Sequence, residues 1–419
     1  MALLRYSRRA WNRDVPRETT TGDRMKPAFT RLPRLSFLMI ALLATGLLGA
    51  ATAQAELALS IGDGKMRLDN GVAKTVPGGQ DMLAIIDLAP AKGGKIPKLV
   101  AEFAVPGSIV GPPQSVAISP DESFALVTAN QKIDPADPGK TVPDNRMSVI
   151  DLKASPPAVI ATVETGLGPA GVSISAKGNL ALVANREEGT VSVFAISSKV
   201  LTSLGKIDLG NPKSGPSGVA ISPDGKMALV TRDGDNRIAV LAIEQDKVEY
   251  IKKDLYAGYR PYGIHFSNTG NFAVLANIGM GQGDADTISL IDTQANPPRV
   301  VETVTAGQTP EGIALSPDSK YVAVTVMNGS NKPINSPFYN ALGLVKLYKV
   351  VGHKLVYTSQ VSSGVWTQGV AFSADSKTLL VQNKEQKELQ VLKIVGDKLV
   401  DTKQRIGLTA GPAAIRTAR

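Results

Sequence analysis

The sequence predicts an all-β fold, a seven-bladed β-propeller of four-stranded antiparallel blades, on three observations. One line of sequence recurs six times, with successive starts 45 to 57 residues apart. Within each copy apolar residues alternate with period two between turn signals, the pattern of short antiparallel strands. A further copy, GPAAIRTA (411–418), stops after a single strand at the C-terminus. Repeats of this length, each forming one four-stranded sheet, pack face to face around an axis. Closing the ring removes the exposed sheet edges that an open stack would keep.

The copies are PPQSVAISPDESFALVTAN (112–130), GPAGVSISAKGNLALVAN (168–185), GPSGVAISPDGKMALVTR (215–232), RPYGIHFSNTGNFAVLAN (260–277), TPEGIALSPDSKYVAVTV (309–326) and WTQGVAFSADSKTLLVQN (366–383). In the third, GVAIS is a first strand and SPDGK a tight turn, where Pro223 presets φ and Gly225 accepts a positive φ. MALVT is the second strand, DGDN a polar loop, RIAVLAI the third strand and the stretch around VEYIKKDL the fourth. The first strand is expected nearest the axis, where space is least. One of its columns is mostly small: Ala117, Ser173, Ala220, His265, Ala314, Ala371 and Arg416. The strands missing from the last copy are expected at the other end of the chain, as ELALSI (56–61), MLAIIDL (82–88) and KLVAEFAV (98–105). Pairing the C-terminal strand with these N-terminal ones closes the ring.

A chain of 419 residues that is 43% hydrophobic and 20% charged can bury a large core. Its net charge of +9 is unevenly placed, since residues 1–36 carry nine Arg/Lys and three Asp/Glu. That basic segment precedes FLMIALLATGLLGAA (37–51) and the small-x-small site Ala53-Gln54-Ala55, the composition of a secretory signal cleaved after Ala55. The expected organisation is a signal over 1–55, with a possible true start at Met25, and one propeller domain over 56–419. An early Arg8-Arg9 pair is far from the apolar run for a twin-arginine signal. Fifteen apolar residues are short for a membrane span. Without the leader the net charge falls to +3, so nucleic acid and anionic membrane surfaces are not expected partners. The protein is expected in the periplasm or secreted, as a monomer.

There is no cysteine, which excludes disulfides, thiol catalysis and cysteine-ligated metal centres. The glycine-rich acidic loops 62–71 and 279–287 lack the spacing of a calcium loop, and HExxH, GxSxG, P-loop and dinucleotide motifs are absent. No metal or cofactor is expected.

The runs FALVTAN, LALVAN and FAVLAN, with MSVIDL and VSVFAI after them, resemble YVTN-type repeats, which form seven-bladed propellers of the lactonase-like and quinoprotein amine dehydrogenase heavy-subunit-like group. The resemblance covers nearly all of the chain after residue 55 and implies the fold. For function it implies hydrolases, quinoprotein-associated subunits or cell-envelope proteins without chemistry.

The loops entering each first strand and those between second and third strands fall on one face, here the top. The long segments 62–81, 131–146, 279–286 and 327–343 belong to it, so a binding surface is expected there. Residues expected at the axial mouth and as ligand contacts are Gln114, Arg232, Arg260, Tyr262, Glu311, Trp366 and Gln368, with Arg416 in the channel. The main reading is a scaffold binding a protein, peptide or glycan through this face. The alternative is a lactonase-like hydrolase in which His265, oriented by Glu311, activates water and Arg260 stabilises the oxyanion. A subunit or accessory of a periplasmic quinoprotein system is the third.

Overall fold

The computed structural model describes residues 56–418. The expected leader, Met25 and the Arg8-Arg9 pair lie outside them. Seven four-stranded antiparallel sheets form a closed propeller, in the strand order read from the repeats. Blade one comprises Val116–Ile118, Phe124–Ile133, Thr141–Asp151 and Ala158–Glu164; blades two to six begin with Pro169–Ile174, Pro216–Ile221, Pro261–Phe266, Pro310–Leu315 and Thr367–Phe372. Blade seven is composite. Its first strand is Pro412–Thr417 and the others are Leu57–Gly62, Met82–Asp87 and Lys98–Ala104. Ala58 pairs with Thr417, Leu59 with Arg416 and Ser60 with Ile415, so the tail closes the ring as the repeats required.

The core is a ring of seven apolar clusters, each between two consecutive blades. Leu182 and Val193 of blade two, for example, pack on Val219 and Val230 of blade three. Burial falls from the axis outward: Leu180–Asn185 is wholly buried, while the outer strand Ala158–Glu164 is almost wholly exposed. Close blade packing explains the glycine of the repeat. A Cβ on Gly218 would come within 2.5 Å of Tyr262 O, and one on Gly312 within 2.5 Å of Gln368 O. Hydroxyls in the second strands also tie neighbours together, since Thr128, Thr231 and Thr325 donate to the carbonyls of Ala170, Tyr262 and Gln368.

Two long segments expected to be irregular contain regular structure. Residues 131–146 are mostly an extension of the second and third strands of blade one, turning at 134–140. The 62–81 segment holds a hairpin, Met66–Asp69 with Val72–Thr75. That hairpin reaches over blade six, where Glu385 accepts the Leu68 N–H, to the blade-five loop, where Asn70 accepts the Ile334 N–H. A four-residue helix, Ala89–Lys92, was not predicted.

Candidate functional site

In blades two to six the first strand opens with a bulge, its pairing jumping from Pro169 to Val172, Pro216 to Val219, Pro261 to Ile264, Pro310 to Ile313 and Thr367 to Val370. A bulge re-aims the side chain it leaves unpaired. Here it gathers Ser217, Tyr262, Glu311 and Gln368 at the top end of the axis. The residue before each bulge is left-handed: Gly168 and Gly215 in blades two and three, but Arg260, Thr309 and Trp366, with φ of 57°, 55° and 55°, in blades four to six. Glycine adopts this conformation without penalty, whereas bulky or β-branched residues are strained in it. The strain is confined to three consecutive blades around Glu311.

Asp233, in the loop after the second strand of blade three, is the hub of the cluster. It accepts two hydrogen bonds from Arg186 of blade two, one of 2.9 Å from Nη2, another of 2.8 Å from Arg260 Nη2 of blade four, and one of 2.8 Å from Ser217 Oγ. Burial disfavours charge on Asp233, yet the Arg186 and Arg260 guanidinium groups hold its carboxyl below the usual range. Burial likewise opposes charge on Arg186 and is outweighed by Asp233, so its pKa is raised. Arg186 also lies over the Tyr262 ring, 6.0 Å from its centroid. The buried Tyr262 phenol is pushed up by desolvation and by the nearby Glu311 and Asp233, against the pull of Arg186 and Arg260.

Glu311 is 6% exposed, and its Oε2 has no hydrogen-bond partner among the described residues. Burial pushes its carboxyl up to about 8, with the Gln368 amide and Arg260 offsetting only part of the effect. Both polar atoms of the Gln368 amide are buried without a well-formed hydrogen bond. Near neutral pH this is a protonated carboxylic acid beside the Gln368 amide and Arg260. Unsatisfied buried polar groups cost stability, and such groups call for a functional explanation.

The other predicted residues are placed differently. Gln114 does not ring an open mouth: it crosses the axis from blade one to blade four, donating from Nε2 to Ile264 O at 2.9 Å and accepting the Ile264 N–H at Oε1 at 3.3 Å. It satisfies part of the inward edge of that first strand. Arg232 turns away from the axis, to Asp235, Asp254 and the Tyr250 hydroxyl. Trp366 is buried beneath the blade-five loop, with Ser330 Oγ accepting its backbone N–H and Lys384 Nζ 5.3 Å from its ring centroid. Asn185, Asn277 and Asn383 bond to side chains of their own second-to-third-strand hairpins.

His265 does not meet Glu311. It lies with Arg416 in a cavity on the turn face, below Gln114, while Glu311 shares the level of Tyr262 one blade away. His265 Nδ1 accepts the Leu315 N–H at 2.8 Å. That bond takes the lone pair of the neutral ring and puts its proton on Nε2, so the imidazole is a donor rather than a base. Arg186 and Asp233, which carry the axial charge, lie one residue past the ends of the second strands of blades two and three. The sequence picked out Arg232, the last residue of its strand; successive strand residues face opposite sides, so the position after it, and not Arg232, turns to the axis. Among the described residues no group of three or more His, Asp or Glu is placed to hold a metal, and no helix is long and apolar enough to cross a membrane.

Residues 144–260 match the family described as lactonase, 7-bladed beta-propeller. No curated protein matches in sequence. The solved structures that resemble the chain include a protein of Bacteroides fragilis provisionally named a 6-phosphogluconolactonase, with a TM-score of 0.66 and 18% identity over 88% of this chain and 99% of that one. A protein of Bacteroides uniformis with the same provisional name gives a TM-score of 0.65 and 20% identity over 87% and 100%. The periplasmic gluconolactonase of Pseudomonas aeruginosa gives 0.59 and 18% over 87% and 99%. The resemblance to the lactonase-like propellers therefore holds in fold over nearly all the described residues, and in sequence over 144–260.

Proposed function

We propose that the protein is a lactonase-like hydrolase of sugar-type lactones, with its chemistry at the top end of the axis. The observation that carries this is Glu311, a buried carboxyl with an unpartnered oxygen and a pKa near 8, set beside Arg260. The family match over 144–260 and the likeness to gluconolactonase structures support the reaction class and favour it over a binding scaffold.

In this reading ionised Glu311 takes a proton from water as the water oxygen adds to the lactone carbonyl carbon. The carbonyl oxygen becomes an oxyanion, stabilised by the guanidinium of Arg260, whose orientation is set by Asp233 and Gly279 O. The ring C–O bond then breaks and the departing alkoxide takes the proton back from Glu311, giving a hydroxy acid with one water consumed. Arg186 and Tyr262 wall the site, and Gln368 offers its amide to substrate hydroxyls. His265 takes no part.

A panel of gluconolactones and homoserine lactones tests this with the wild type and Glu311→Gln. Turnover should fall about 10²- to 10⁴-fold in the variant, the range for losing a general acid–base group. In the wild type it should rise with pH to a plateau above about 8. No turnover across the panel, or turnover untouched in Glu311→Gln, overturns the assignment; a top-face protein, peptide or glycan partner would then restore the binding role. We infer also that residues 1–55 are an export leader and 56–419 the mature single-domain protein, supported by the leader composition and the likeness to a periplasmic enzyme. N-terminal sequencing of the exported protein should begin at Glu56, and the intact N-terminus in cytosol would refute it.

A further inference from the structure

The junction of blade seven with blades one and six holds two buried glutamates that the lactone chemistry does not use. Glu56, immediately before the strand Leu57–Gly62, is 8% exposed, and Glu122, in the turn between the first two strands of blade one, is 3% exposed. Glu122 reaches across to blade seven, where its Oε1 accepts the Leu57 N–H at 2.9 Å. Glu56 is held from its other sides: its Oε1 accepts the Ala374 N–H of blade six, its backbone carbonyl accepts the Leu88 N–H at 2.8 Å, and its Oε2 lies 3.7 Å from Lys92 Nζ.

Glu122 is out of place in two ways. The same turn position is Gly178, Gly225 and Gly270 in blades two to four and Ser319 and Ser376 in blades five and six, and Glu122 is held there at a φ of 52°, which glycine adopts without penalty. Its Oε2 is also buried with no hydrogen-bond partner among the described residues. Burial pushes the carboxyls of Glu122 and Glu56 up from their usual range. Asp87 and Asp375 add negative charge around them and Lys92 and Lys153 oppose it, so four carboxylates face two ammonium groups. A strained, buried carboxylate with an unsatisfied oxygen calls for a further cation.

The chain itself supplies one when the leader is removed. Hydrolysis of the Ala55–Glu56 amide consumes one water and leaves a carboxylate on Ala55 and an amine on Glu56, which takes up a proton at neutral pH because an ordinary α-amine has a pKa of about 8. Bond geometry keeps successive backbone nitrogens within about 4 Å of each other. The Glu56 nitrogen is therefore a neighbour of the Leu57 N–H that Glu122 already holds. We propose that the α-ammonium of Glu56 pairs with the Glu122 carboxylate, so that cleavage completes a buried ion pair latching blade seven to blade one. This rests on the reading of residues 1–55 as a leader cleaved after Ala55. Blade seven also takes in the C-terminal strand, so the latch secures the blade that closes the ring. An uncleaved chain carries a neutral amide at this nitrogen and cannot form the pair.

The test uses protein purified after expression of the full chain, with its N-terminus read by sequencing, and follows acetic anhydride labelling of the Glu56 α-amine against pH by peptide mass mapping. In the folded protein the amine should label about tenfold or more slowly at pH 8 than in urea, with its midpoint shifted upward, one pKa unit being a tenfold change. An amine whose pKa folding raises contributes its full stability below about pH 8 and loses it as pH rises through the folded value. Glu122→Gln should restore ordinary labelling and lower Tm at pH 7. A form beginning at Ala55, which leaves Glu122 and its turn intact and moves the ammonium one residue out, should do the same, and it decides the case if Glu122→Gln does not fold. Ordinary labelling in the folded wild type, protection kept in a folded Glu122→Gln, or equal protection and Tm in the Ala55 form would each overturn the latch. A terminus other than Glu56 would refute the leader reading alone; the latch is then read on protein given a Glu56 terminus by removal of a cleavable tag.

Discussion

Glu311 and Asp233 lie in one buried cluster and respond to pH with opposite signs. Glu311 keeps its proton in the folded state to about pH 8, whereas the unfolded chain releases it near 4.5. Between those values the native state binds more protons, so stability falls as pH rises, by up to about 1.4 kcal/mol per pH unit for one group. Denaturant titrations should show this slope flattened in Glu311→Gln over that window. Asp233 has a depressed pKa, so its contribution is present above the ordinary aspartate range and is lost on acidification. Asp233→Asn leaves Arg186 and Arg260 without their counter-charge and should destabilise by about 3 to 5 kcal/mol at pH 7, with a shallower acid transition. The sequence singled out Arg260, Tyr262, Glu311 and Gln368 because repeat alignment puts them in known columns. Asp233, which organises them, was hidden as one acid in a polar DGDN turn, since nothing in that turn shows which carboxylate faces two arginines.

The opening of the first strand is the element that makes the site. The left-handed residue sets the entry, the bulge turns the next side chain to the axis, and the glycine lets the neighbouring blade approach. Gly218→Ala should therefore cost stability, about 1 to 3 kcal/mol as for other overpacked sites, because the new methyl would lie 2.5 Å from the fixed backbone oxygen of Tyr262 and 3.0 Å from Gln114 Oε1 and Thr231 Oγ1. Thr309→Gly should act in the other direction. A β-branched residue at φ 55° pays a conformational penalty that glycine does not, and the change should raise Tm, by up to about 1 kcal/mol in stability. Chemical denaturation of each variant would decide both signs. The glycine was plain in the repeats; the strain was not, because left-handed geometry in copies four to six is imposed by a frame whose other copies use glycine there.

The closed ring rests on a nine-residue tail. Pro412, Ala413, Ala414 and Ile415 are buried, Ala414 in the cluster with blade one and Ile415 in the cluster with blade six. Deleting residues 411–419 should remove the first strand of blade seven, lower Tm sharply and expose an edge that promotes association, measured by scanning calorimetry and light scattering. A monomeric deletion variant with unchanged Tm would contradict the closure. Fold class, blade number, the axial column and the closing strand were determined by the sequence alone, because each follows from a period along the chain that needs no partner to be seen. Which side chains meet across the axis was decided only by the tertiary structure. Gln114 and Ile264 are 150 residues apart, and seven blades of near-equal sequence leave the pairings across the ring unspecified until the ring is closed. The same closure sends His265 to one end of the channel and Glu311 to the other. It divides a single candidate triad into a buried acid near the top and a charged, apolar pocket on the turn face.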